Sequence, residues 1–155
     1  MITFIINGQE VTSIANANER LLDVLRNEFS ITGVKCGCKE GECGACSVIL
    51  DGKLVNSCMV AMGSIEGSTV ITIEGYRETE RFTVLDRAYS SVSAVQCGFC
   101  TPGMILASEC ILVKNPNPTE ADIRDGISGN LCRCTGYNAI VNAIAIAAKE
   151  GKGLW

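Results

Sequence analysis

Ten cysteines and no histidine in 155 residues constrain this chain more than any other feature. Cysteine in such numbers serves either a disulfide framework, built in oxidising compartments, or a set of intracellular thiolate metal ligands. Met1 to Val11 has no basic n-region, no long apolar stretch and no small-residue cleavage site, so no secretory signal is expected. A hydrophobic fraction of 47% is ample for a packed core without disulfide staples. Mean hydropathy is slightly positive at +0.25. The longest weakly interrupted apolar stretch, Ala139 to Ala148, nevertheless contains Asn142 and is far too short to span a bilayer. The expectation is a soluble, cytoplasmic protein. Its net charge of −4 argues against nucleic acid or an anionic membrane surface as a partner.

Turn and periodicity signals divide the chain into two unlike halves. Residues 2–6 and 9–14 flank Asn7-Gly8, and Ser47–Leu50 and Lys53–Asn56 flank Asp51-Gly52. Both dipeptides are strong hairpin signals because their residues tolerate positive φ. Asn18-Glu19 opens a helical pattern with Leu21, Leu22, Leu25 and Phe29 on one face, and Thr69 to Ile73 reads as a last short strand. A small mixed sheet packed on one helix follows. Beyond Gly75 the period becomes helical. Val84, Leu85, Ala88, Tyr89 and Val92 share a face, and Thr101-Pro102 reads as an N-cap followed by proline at the first helical position. Pro118-Thr119 announces a third helix, and a fourth runs from about Asn138 to Lys149, with Gly151 as its cap. Tyr76 to Arg81 reads as a charged connector, which predicts domains over residues 1–76 and 77–155.

The first cysteine set is Cys38-x4-Cys43-x2-Cys46, with Cys58 after eleven further residues. This is the ligand spacing of a plant-type [2Fe–2S] cluster. Thiolates that converge on so small a core need a tightly wrapped loop, and Gly37, Gly41 and Gly44 permit the required backbone angles. They also let amide N–H groups approach sulfur. Cysteines serving as small core hydrophobes would not gather in a glycine-rich, charge-bearing loop, and the specificity of the spacing weighs against two disulfides. The second set, Cys97-x2-Cys100 and Cys132-x-Cys134, is less specific. An all-thiolate zinc site competes with an iron–sulfur cluster there, whereas a redox dithiol would need a βαβ setting that is absent.

The stretches KCGCKEGECGACSV, QCGFCTPGM, NPNPT and GNLCRCTGY closely resemble the iron–sulfur subunit of the xanthine dehydrogenase family of molybdenum hydroxylases. The resemblance runs from about Ile2 to Ala148. It implies an α+β protein: a β-grasp, plant-ferredoxin-like N-terminal domain followed by an all-α four-helix domain, each with one [2Fe–2S] cluster. Cys38, Cys43, Cys46 and Cys58 match the ligands of the outer, flavin-side cluster. Cys97, Cys100, Cys132 and Cys134 match those of the inner cluster, and Gln96 and Cys134 match the region that approaches the molybdopterin. The partners implied are a molybdopterin-binding large subunit and an FAD-binding medium subunit.

The resemblance further implies an electron-transfer subunit that passes single electrons from the molybdenum centre through both clusters to flavin, with no catalytic residue of its own. Nothing in the chain would house a flavin or a molybdopterin, and its end at Trp155 points to partners on separate chains. An independent ferredoxin is the alternative function, and a structural zinc module a third. Cys36 stands two residues before the first matched ligand and is assigned no role, while Cys110 is expected to pack as a small apolar group. Of the cations in the ligand loops, Lys39 reads as a solvated charge, and Arg133 as a candidate to offset cluster charge. Purines, N-heterocyclic acids, aldehydes, carbon monoxide and aromatic acyl-CoA esters are all substrates within the family; a purine or related N-heterocycle is the expectation here.

Overall fold

A computed structural model describes residues 1–155. Asn7 and Gly8 both adopt positive φ, 51° and 83°, and fold β1 (Ile2–Ile6) back on β2 (Gln9–Ser13). Asp51 and Gly52 do the same, at 47° and 78°, for β3 (Ser47–Leu50) and β4 (Lys53–Asn56). Two residues of positive φ match the twist of the strands they join, which is why these dipeptides close hairpins. β5 (Thr69–Ile71) lies between the hairpins, parallel to β1 and antiparallel to β3, so the sheet order is β2-β1-β5-β3-β4. This is a β-grasp sheet, and α1 (Leu21–Asn27) covers it, burying Leu21, Leu22, Val24 and Leu25 against Phe4, Ile6, Val48 and Val70. Phe29 falls beyond the end of α1 rather than on it. Its ring still meets Phe4 edge-on at 5.9 Å.

The last strand is shorter than its β-rich composition predicts. It stops at Ile71 because Asn7 captures the next residue: the Thr72 N–H donates to Asn7 Oδ1 at 2.8 Å, and Asn7 Nδ2 donates to the Thr72 hydroxyl at 3.0 Å. The chain then turns into a short helix, α2 (Ile73–Tyr76). Tyr76, the first residue of the expected charged connector, is therefore buried, while residues 77–80 are exposed. Thr79 caps α3 (Glu80–Ser91) by accepting the Phe82 N–H.

The second half is all helical. α4 (Thr101–Lys114) is buried on nearly all sides, from Gly103 to Glu109 and again at Ile111 and Leu112, which makes it the central helix. Its N-cap is Cys100 rather than Thr101, because the Cys100 carbonyl already accepts the Met104 N–H at 3.0 Å; Pro102 remains in the first turn. α5 (Glu120–Gly126) and α6 (Asn138–Glu150) complete the bundle, with α3 against α6. Gly151 ends α6 at an ordinary φ of −87°. Its lack of a side chain matters for packing, since a Cβ there would collide with the Trp155 indole. The halves share a seam in which α4 packs on β3 and β4, and Ile49, Ile73 and Tyr76 join the helical core. No helix is long and apolar enough to cross a membrane.

Candidate cluster-binding sites

The loop between α1 and β3 carries the first cysteine set, wrapped by residues in the left-handed region: Lys39 at 63°, Gly41 at 83° and Gly44 at 67°. The wrap turns amides toward sulfur. Cys38 Sγ accepts the Glu40 N–H at 3.5 Å and the Cys43 N–H at 3.4 Å. These amides, Glu40's first, hold the Cys38 thiol down to about 7 without any neighbouring cation. Gly37 passes so close that a Cβ would lie 2.6 Å from Cys43 Sγ. Cys58 arrives on the turn after β4, buried, with Cys46 and Cys38 as its thiol neighbours and the Gly41 N–H directed at it. Burial first, and Cys46 second, push its thiol up to about 11.

The structure thus brings Cys38, Cys43, Cys46 and Cys58 into one constellation. Cys36 is half-buried and packs against the N-terminal core instead. Lys39 is half-exposed and pairs with Asp23 at 3.6 Å, so its charge faces α1.

The second constellation joins the N-terminus of α4 to the loop before α6. Cys134 Sγ lies 3.6 Å from Cys97 Sγ, and Cys100 has Cys132 and Cys97 as its thiol neighbours. Burial, with Cys132 adding to it, pushes the Cys100 thiol up to about 12. Burial acts the same way on Cys132, but the Thr135 hydroxyl at 3.1 Å and the amides of Thr135 and Cys134 outweigh it, so its thiol lies below the ordinary value. Cys97, Cys134, Gln96 and Arg133 are exposed, and Val95, Phe99 and Leu131 expose apolar side chains close by in sequence.

Three residues outside the cysteine pattern shape this second site. Tyr137, at a φ of 69°, accepts the Cys132 N–H on its hydroxyl at 3.0 Å, and Thr135 donates to the Cys132 sulfur. Asn130 is buried and ties this loop to the first one. All three lie in the GNLCRCTGY stretch, where spacing draws attention only to the cysteines; a Gly-Tyr pair directly after C-x-C-T was the available signal for Tyr137.

Each constellation suits a [2Fe–2S] core in its donor chemistry. Its candidate ligands are all cysteine sulfurs, and backbone N–H groups, with the Thr135 hydroxyl at Cys132, are directed at sulfur where negative charge must be held. No three Cys, Asp or Glu side chains close tightly enough to hold a single ion.

Known proteins agree with this chemistry. Residues 4–67 match the 2Fe-2S iron-sulfur cluster binding domain, and residues 72–145 match the [2Fe-2S] binding domain, the family that covers the set for which spacing left zinc open. The nicotinate dehydrogenase small FeS subunit of Eubacterium barkeri is 47% identical over 94% of this chain and 92% of its own length. A probable xanthine dehydrogenase subunit of Bacillus subtilis is 41% identical over 96% and 85%. Among solved structures, quinoline 2-oxidoreductase from Pseudomonas putida 86 superposes with a TM-score of 0.89 at 38% identity, covering 98% of this chain and 96% of that one. Aldehyde oxidoreductase from Desulfovibrio desulfuricans superposes at 0.92 and 41% identity, this chain covering 17% of the longer one. With two cluster domains in the same order and near full-length identity to such subunits, this chain belongs to the iron–sulfur small subunits of the xanthine dehydrogenase family of molybdenum hydroxylases.

Proposed function

We propose that this chain conducts single electrons from a molybdopterin-bearing large subunit, through two [2Fe–2S] clusters, to an FAD-bearing medium subunit. Cys38, Cys43, Cys46 and Cys58 would hold the cluster of residues 1–76, and Cys97, Cys100, Cys132 and Cys134 that of residues 77–155. A [2Fe–2S] cluster supplies one-electron redox chemistry and nothing else is asked of it. This chain's own residues set where each cluster sits and how its charge is met. Amides of Glu40, Cys43 and Gly41 serve the first quartet, and Thr135 with its neighbouring amides serves the second.

The observation that carries the reading is the contact between the two ligand loops. The Leu131 N–H donates to the Cys43 carbonyl at 2.9 Å, so a residue of one quartet touches the direct neighbour of Cys132 in the other. Two centres joined this closely suit electron passage in series. The exposed Cys97, Cys134 and Gln96 support docking of the molybdopterin subunit on that side. Relatives named for nicotinate and xanthine support an N-heterocyclic substrate for the assembled enzyme.

The native complex tests this directly. Molybdenum and FAD should co-purify with the chain, which should show two distinct EPR signals on reduction. Cys134→Ser should disturb one signal and slow electron transfer from molybdenum. A chain that purifies alone from its native source, with both clusters and no molybdenum, would instead support an independent ferredoxin.

A further inference from the structure

We propose that Asn130 is a positioning residue shared by both cluster sites, through which occupancy of one site stabilises the other. The inference rests on the assignment of the two cysteine quartets as cluster sites, and it goes beyond that assignment because Asn130 is not a ligand.

Asn130 is only 3% exposed, although it lies in a loop between α5 and Cys132. Its side-chain amide crosses the seam and donates to the Gly44 carbonyl at 2.9 Å and to the Ser47 hydroxyl at 3.1 Å. Gly44 lies between the ligands Cys43 and Cys46, and Ser47 follows Cys46 directly. Ser47 Oγ in turn donates to the same Gly44 carbonyl at 2.7 Å. The backbone closes the stitch one residue further on, where the Leu131 N–H donates to the Cys43 carbonyl.

The two loops are packed against each other with no room for a side chain between them. A Cβ on Gly44 would strike the Gly129 carbonyl and the Asn130 amide, and one on Gly103 would strike the Gly44 carbonyl. Gly103 is in the first turn of α4, whose N-cap is Cys100. The Gly44 carbonyl is therefore held by Asn130 from the side of Cys132 and packed by Gly103 from the side of Cys100. Buried polar groups bonded in this way have one good arrangement, and losing a partner strands the other. A loop kept in shape by four thiolates on a cluster keeps that arrangement for its neighbour. A collapsed loop withdraws the Gly44 carbonyl and frees Asn130 and the chain leading to Cys132.

The experiment is a coupling cycle on the full chain with reconstituted clusters. Iron release to a chelator is followed separately for each site through its EPR signal. Cys38→Ala/Cys58→Ala removes the first cluster at positions away from the seam. In the otherwise native chain it should speed iron release from the second site by about threefold or more, the range of coupling between residues in one network. In an Asn130→Leu background, where the donor is lost and the side-chain shape nearly kept, the same double substitution should leave the second site's release rate unchanged. Gly103→Ala gives an independent check, because alanine suits helix α4 yet wedges a methyl against the Gly44 carbonyl; it should also abolish the cross-talk. Cross-talk that persists undiminished in either background overturns the role of Asn130 or of the seam. A native chain that binds fewer than two clusters, or cross-talk absent from the native chain, fails at different points: the first defeats the ligand assignment, the second defeats the coupling alone.

Discussion

The sulfurs of Cys36 and Cys110 differ from the other eight in their surroundings. Cys110 lies on α4 beside the buried Glu109, with the Leu54 backbone opposite, and burial followed by the Glu109 charge pushes its thiol up to about 11. Only thiolate alkylates quickly, and at pH 7 about one molecule in ten thousand carries it there. Iodoacetamide at neutral pH should leave Cys110 unmodified in the folded holoprotein, as peptide mass mapping will report. Cys110→Ala should keep both clusters and cost about 1 kcal/mol. Cys36→Ala should also retain both EPR signals, since the Cys36 side chain packs on the N-terminal core beside the first quartet. Loss of one signal would make Cys36 a ligand. The register of the family resemblance favours Cys38 over Cys36 as the ligand, with x4 spacing to Cys43.

Among the elements, α5 shows how fully a local signal can be written in sequence. It has only seven residues, too few to hold a helix unaided, and Thr119 starts it with a complete capping box. The Thr119 hydroxyl accepts the Asp122 N–H, and Asp122 Oδ2 accepts the Thr119 N–H at 2.8 Å. The amide and hydroxyl of Thr119 hold the Asp122 carboxyl below its ordinary value of 3.8. A depressed carboxylate stabilises the fold above its unfolded pKa, and that contribution fades as pH falls through the lower, folded value. The Asp122 carboxyl carbon should therefore titrate by NMR with a midpoint below 3.8. Asp122→Ala should lower the melting temperature at neutral pH and leave a smaller acid dependence between pH 5 and 3. The hairpin dipeptides and the start of α5 at Pro118-Thr119 were legible because each acts within four residues; the capping box itself was not read. The end of β5 was not legible, because it is imposed by Asn7, 65 residues away.

At the scale of the whole molecule, Glu109 joins parts that the chain keeps far apart. Its carboxylate accepts from the Tyr76 hydroxyl at 2.6 Å, from Arg81 at 2.7 Å and from the Trp155 indole N–H at 2.6 Å. Arg81 also donates to the Leu154 carbonyl and stacks over the Trp155 ring. One side chain on the central helix thereby fastens the junction between the halves and the C-terminal residues. Glu109→Ala should cost about 2–4 kcal/mol in thermal unfolding, discounted because Arg81 is partly exposed and recovers water. Glu109→Gln should cost less, since it keeps an acceptor. Burial, with Glu109 adding to it, raises the Tyr76 phenol far above its ordinary value of 10. Stability from a phenol held neutral is complete below pH 10 and declines above it. The fall in melting temperature above pH 10 should be shallower in Tyr76→Phe.

Cysteine spacing, turn dipeptides and periodicity were enough to mark the two cysteine sets, both hairpins and the order of a sheet half before a helical half. Each depends on residues close along the chain, where backbone geometry leaves few choices. Which distant parts meet was set by packing. Asn130 reaches Gly44 across 86 residues, and Tyr76 reaches Glu109 across 33. Such pairs leave no periodicity or spacing in sequence, because they arise from the packing of α4 against the sheet and are selected by shape and by the need to satisfy buried polar groups.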